Sequence, residues 1–201
     1  MKKIFSFLTV AIFVTLGFTV HRPSPGKTRK IPGNRALMIK PAADETLVKR
    51  GEYLVTIMGC ADCHSPKKFT DKGPVPDPER FMSGYNAAEK LPPYDQNLVK
   101  KGQWVLFNGH NTAIAGPWGV SFAANLTPDA SGIGTWTLEQ FGKALRQGKY
   151  RGLDNTRPML PPMPWPNYIN LKDEDLKAMF AYLMSLKPIS NVVPAPIPPT
   201  P

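Results

Sequence analysis

Both cysteines of the 201-residue chain fall in residues 59–66, GCADCHSP, three positions apart, with a histidine directly behind the second. Thiols at that spacing serve one of three chemistries. A structural zinc site takes four ligands, so Cys60 and Cys63 would need His21, His64 or His110 to complete it. His64 adjoins Cys63, an awkward neighbour for the same tetrahedron, and the other histidines stand alone. A redox dithiol sits at a helix N-terminus after a strand in a βαβ pattern, where the helix dipole lowers a thiol pKa. Here the pair closes a helical pattern, in a chain without that alternation. The third chemistry is covalent attachment of c-type haem. Two thiols three residues apart meet the two vinyl groups on one porphyrin edge, and the following histidine is held beneath the iron. The spacing favours this reading, with Cys60 and Cys63 as thioether donors and His64 as proximal ligand. The other ring nitrogen of His64 should donate to a carbonyl that fixes its tautomer, and Pro66 stands near enough in sequence to supply one.

An iron beneath His64 leaves a sixth position to fill. Of the eight methionines, Met1 and Met38 lie outside the expected domain, while Met58, Met179 and Met184 sit on helical patterns where packing explains them. Met82, Met159 and Met163 remain. The segment PMLPPMPWPNY, residues 158–168, is stiffened by proline, which lets it present a thioether at low entropic cost. Met163, flanked by Pro162 and Pro164, is favoured over Met159, His110 or an open position.

The rest of the chain must position these groups. The opening MKKIFSFLTVAIFVTLGFTV pairs a basic start with an apolar run over residues 4–20, an export signature. Its length suits either a signal peptide or an uncleaved membrane anchor, and the missing Ala-x-Ala pattern tilts toward the anchor. Residues 1–22 therefore read as export segment and 23–43 as a basic Pro/Gly-rich tether. One compact domain follows over 44–189, then a Pro-rich tail over 190–201. The formal charge of +10 drops to +7 without Lys2, Lys3 and Arg22, which predicts a basic domain steered to acidic partners, Lys67 and Lys68 among its cations. No run of Lys and Arg interleaved with aromatics is present, which excludes a nucleic-acid groove.

Three helices are legible. Residues 44–59 place Leu47, Val48, Gly51, Leu54, Val55 and Met58 on one face. TLEQFGKALRQG carries a Thr137/Gln140 capping box, a Leu138, Phe141, Leu145 stripe and a closing Gly148. DEDLKAMFAYLMSLKP opens on three acids and stops at Pro188. Residues 66–135 are dense in Gly, Pro and Asn, and are expected to be mostly loop with one or two helical turns. WVLFNG at 104–109 is the one ambiguous short strand or buried turn. So long a loop normally argues against an assignment, unless a bound group organises it.

In this order the elements resemble a class I cytochrome c. More narrowly, ANLTPDASGIGTWTLEQFGKALRQGKYRG followed by LPPMPWPNYINLKDEDLKAMFAYLMSLKPISN is similar to single haem modules in the cytochrome subunits of bacterial membrane-bound alcohol and sugar-acid dehydrogenases. The resemblance implies an all-α cytochrome c fold, three main helices plus long loops wrapped around one covalent haem c. It also implies that the methionine before Pro-aromatic-Pro, here Met163, is the axial ligand. First and last helices would cross at Gly51, near Tyr182. Asn125, Trp136 or Trp165 would reach a propionate, with plain core packing as the competing role for Trp136. Those subunits usually carry three such modules where this chain has one, and residues 66–120 match no motif. The expected function is a monohaem electron carrier with no catalytic residues. It would work at the periplasmic face between redox partners, associated with the membrane through residues 4–20. The alternatives are a haem subunit of an oxidoreductase or peroxidase complex with a labile sixth ligand, or a gas sensor.

Overall fold

The computed structural model describes residues 44–199. The apolar run at 4–20, the basic tether, His21 and Met38 lie outside those residues. Among the described residues no helix is long and apolar enough to cross a membrane.

The three expected helices are present. Helix α1 spans Glu45–Ile57 and starts where the Asp44 carboxylate accepts the N–H groups of Thr46 and Leu47. It stops short of the expected end because Gly59 turns left-handed, at φ 67°, and a separate five-residue helix α2, Cys60–His64, follows. The cysteines thus occupy their own helical turn rather than the tail of α1. Further along lie three more helices. The short α3 is Gln96–Lys100, α4 is Leu138–Gln147 with the Thr137/Gln140 capping box intact, and α5 is Asp173–Ser185 with its three acids in the first turn.

Helices α1 and α5 cross closely at Gly51. A methyl group there would stand 2.6 Å from the Ala178 carbonyl carbon and 2.7 Å from Tyr182 Cβ, so only a residue without a side chain permits the approach. The Arg50 guanidinium donates to Asp175 at 2.9 Å and locks the same crossing. Beneath it Leu54 and Val55 meet Leu176, Met179 and Leu183, and α4 adds Phe141 and Leu145 to one apolar core.

The all-α expectation needs correction, because residues 66–135 carry two small antiparallel sheets. Strands β1, Lys67–Thr70, and β2, Gly73–Pro76, form a hairpin immediately after the cysteine turn. Strands β3, Leu106–Phe107, β4, Ala113–Gly116, and β5, Gly119–Phe122, form a three-stranded sheet in that order. The WVLFNG run thus contributes only the two-residue edge strand β3, while Trp104 ahead of it and Phe107 within it are exposed. The sheet carries a second core of Tyr85, Val99, Ala113, Ala115 and Val120. Residues 190–199, read from composition as a tail, lie against this sheet: Val120 and Ile197 exchange both backbone hydrogen bonds, at 2.8 and 3.0 Å. The Asn191 side chain donates to the carbonyls of Ser83 and Tyr85, at 2.7 and 2.8 Å.

Candidate haem-attachment site

Cys60 and Cys63 stand one helical turn apart on α2, so both thiols emerge on one side of the turn. Both are free and half-buried. Burial pushes the Cys60 thiol up to about 11, with the Asp62 carboxylate adding to the effect against a backbone hydrogen bond that opposes it. A redox dithiol needs its reactive thiol moved the other way, and the short strands here are antiparallel and join no βαβ unit. Among the described residues no group of three or more His, Cys, Asp or Glu is placed to hold a metal ion.

His64 closes the turn. Its Nδ1 lies 2.8 Å from the Ala124 carbonyl oxygen. An oxygen of that kind only accepts, so Nδ1 carries the proton and the lone pair sits on Nε2, the state a metal-binding imidazole requires. The partner is Ala124 rather than Pro66, whose carbonyl instead accepts the Asp77 N–H at 2.8 Å. Gly84 brings the two segments together. Its N–H donates to the His64 carbonyl at 2.8 Å, and a side chain on it would collide with the Ala124 backbone. Burial holds His64 below the ordinary histidine pKa, partly offset by the Ala124 bond. Burial thus favours the neutral ring.

Lys67 is turned inward. Its ammonium donates to the carbonyls of Ala61, Asp62 and Ser65 at 3.0, 2.9 and 2.7 Å, capping the end of α2 where those oxygens lack helical partners. It is part of the motif's scaffold and not the steering charge expected of it. Lys68 remains exposed. The Lys67 N–H donates to His110 Nδ1 at 3.0 Å, so that imidazole is engaged beside the cysteine turn.

The three candidate methionines occupy different places. Met82 is fully buried, and its N–H donates to Ser65 Oγ at 2.9 Å, directly behind His64. Met159 is tied by its N–H to the Gly148 carbonyl at 2.7 Å. Met163 packs on the same apolar core that Cys60 and Ala61 border. Its loop is fixed downstream where the Trp165 ring covers Gly148 at the end of α4. Tyr168, in the following turn, packs on the same core as Cys60, and burial raises its hydroxyl pKa.

Of the residues expected at a propionate, Asn125 is otherwise engaged. It is buried; its amide donates to the Ile189 carbonyl at 2.8 Å and its oxygen accepts from Thr127 N and Oγ1, stapling the loop to the C-terminal segment. Trp136 packs against the core. The scaffold roles of Lys67 and Ala124 escaped the sequence because they run through backbone carbonyls, which no residue-type pattern marks.

A covalent haem fits these residues: paired thiols on one turn, an imidazole fixed with Nε2 free, and an apolar wall holding a thioether in a stiff loop. Comparison with known proteins agrees. A family model described as Cytochrome c matches residues 108–187, downstream of the cysteine turn. The chain is 32% identical over 156 residues to the alcohol dehydrogenase (quinone) cytochrome c subunit of Gluconobacter oxydans (strain 621H), covering 77% of this chain and 24% of that protein. It is 32% identical over 150 residues to the gluconate 2-dehydrogenase cytochrome c subunit of Pantoea cypripedii, covering 74% and 25%. Against the fructose dehydrogenase cytochrome subunit of Gluconobacter japonicus it is 31% identical over 155 residues, covering 76% and 24%. The chain thus spans about a quarter of the length of these relatives. Residues 108–187 thus form a cytochrome c domain, and upstream of it the chain bears a single motif for covalent haem c.

Proposed function

We propose that this chain is an electron carrier that transforms no substrate, with Cys60 and Cys63 as thioethers and His64 and Met163 as axial ligands. The single observation that carries the reading is the His64 Nδ1 to Ala124 hydrogen bond at 2.8 Å, which frees Nε2 at the end of a paired-thiol turn. Covalent haem supplies a one-electron couple at iron when bound. The chain's own residues set its conditions: Ala124 orients the imidazole and makes it a better donor. Met163, as a thioether, raises the potential, and the core of Leu54, Val55 and Met179 excludes water. The relatives' names place cytochrome subunits beside dehydrogenases, and for this chain we take the partners to be redox proteins outside the cytoplasm. Residues 4–20 would serve as export segment or anchor.

The acidic docking surface expected of those partners rests on a charge that is unevenly placed. Eight cations, Lys2, Lys3, Arg22, Lys27, Arg29, Lys30, Arg35 and Lys40, precede Asp44 and no acid does. Subtracting them leaves 17 Lys and Arg against 15 Asp and Glu, a net +2 from residue 44 onward. Steering by charge therefore belongs to the segment ahead of the domain.

The ligand assignment is tested by the spectrum of the haem-loaded ferric protein. A near-infrared methionine-to-iron band that disappears in Met163→Ala and persists in Met159→Ala is the expected result. A high-spin ferric spectrum with ready peroxide or carbon monoxide binding would refute the carrier and favour the open-site alternatives.

A further inference from the structure

We infer that Ser121, on β5 of the sheet inserted between the cysteine turn and α4, is a positioning residue for the Met163 loop. The inference rests on Met163 as sixth ligand. Ser121 is 8% exposed, and its hydroxyl has one proton to give. The Pro161 carbonyl, two residues before Met163, lies 2.7 Å away, while the rival Ile114 carbonyl lies at 3.4 Å. The shorter bond takes the proton. Trp118 Nε1, at 3.3 Å, donates to the same oxygen and sets its orientation.

This bond does what the loop cannot do for itself. Pro161, Pro162 and Pro164 bring no N–H, so the stretch around Met163 is held through its carbonyls and its ends. The ends are anchored on Gly148, by the Met159 N–H and the Trp165 ring. Ser121 fixes the middle. Three residues further along the same extended segment, the Ala124 carbonyl holds His64. One run of backbone thus sets the orientation of the imidazole and the placement of the Met163 loop.

The test compares haem-loaded, full-length Ser121→Thr, which keeps the hydroxyl, with Ser121→Val, which has its shape without it. Imidazole competes with a thioether for ferric iron, so its affinity reads how firmly the methionine is held. Ser121→Val should bind imidazole about tenfold more tightly, the worth of one lost hydrogen bond, with a weaker methionine-to-iron band. Ser121→Thr should stay with the parent. Ser121→Ala, which adds no atom to the buried site, repeats the comparison if valine disturbs folding. Equal imidazole affinity in Ser121→Thr, Ser121→Val and Ser121→Ala overturns the inference. Met163→Ala separates the two readings. If its band persists, Met163 is not the ligand and both fall. If its band is lost while the Ser121 variants match the parent, the positioning role alone falls.

Discussion

Replacing Gly51 by alanine sets two effects of known size against each other. In an ordinary exposed helix interior the change stabilises, by about 1 kcal/mol, because alanine is the best helix former and glycine nearly the worst. At the α1–α5 crossing the added methyl meets the Ala178 carbonyl carbon at 2.6 Å and Tyr182 Cβ at 2.7 Å. Carbon atoms rest about 3.5–4.0 Å apart, so the helices must part by roughly 1 Å. Neither partner can rotate away, since one is backbone and the other a Cβ. Overpacking of this kind costs about 1–3 kcal/mol, and at the upper end where backbone must move. The net expectation is a loss of about 2 kcal/mol. For a domain of this size that lowers the unfolding midpoint by about 4–8 °C. Thermal unfolding of the haem-loaded protein, followed by far-ultraviolet circular dichroism, measures it. Gly142→Ala on α4 is the control, because the obstacle there is the Leu176 Cδ2 methyl at 3.0 Å, which can shift. It should be near neutral. A Gly51→Ala protein that unfolds at or above the parent temperature would show that helix propensity governs and that the crossing is not closely packed.

Three further outcomes are expected. Lys67→Met removes a charge and three carbonyl bonds at the end of α2, which should cost about 2–3 kcal/mol in chemical denaturation and lower the reduction potential by withdrawing a nearby cation. A potential equal to the parent's would place the ammonium's influence elsewhere. Asn191→Ala strips two carbonyls and the Ala87 N–H of their partner and should destabilise by about 2 kcal/mol, read from the denaturation midpoint. Reduction by a physiological partner should slow as salt rises, through the cations ahead of residue 44. Rates that are flat from low to high ionic strength would remove charge steering altogether.

The cysteine turn, His64 and the three main helices were legible because each is written in residue types at fixed spacing. The Thr137/Gln140 box and the Asp173, Glu174, Asp175 cluster mark helix starts for physical reasons that hold in any context. The sheet was not legible. Strands β4 and β5, AIAG and GVSF, are buried on both faces and built from small residues, so they show neither apolar alternation nor a β-branched run. Likewise Pro66 was a reasonable source for the carbonyl behind His64 on sequence distance. Ala124 lies 60 positions on, and only the close packing around Gly84 brings it there.

The pairing of Ile197 with Val120 has a practical consequence. Composition invites trimming the proline-rich end as dispensable, yet Ile197 covers the backbone N–H and carbonyl of Val120 on the outer side of β5. A chain shortened after Ile189 would bare that sheet edge, a template for strand addition by a second molecule. Such a shortened protein is expected to self-associate, and its loss of solubility would come from an unprotected edge rather than from any fault in haem loading.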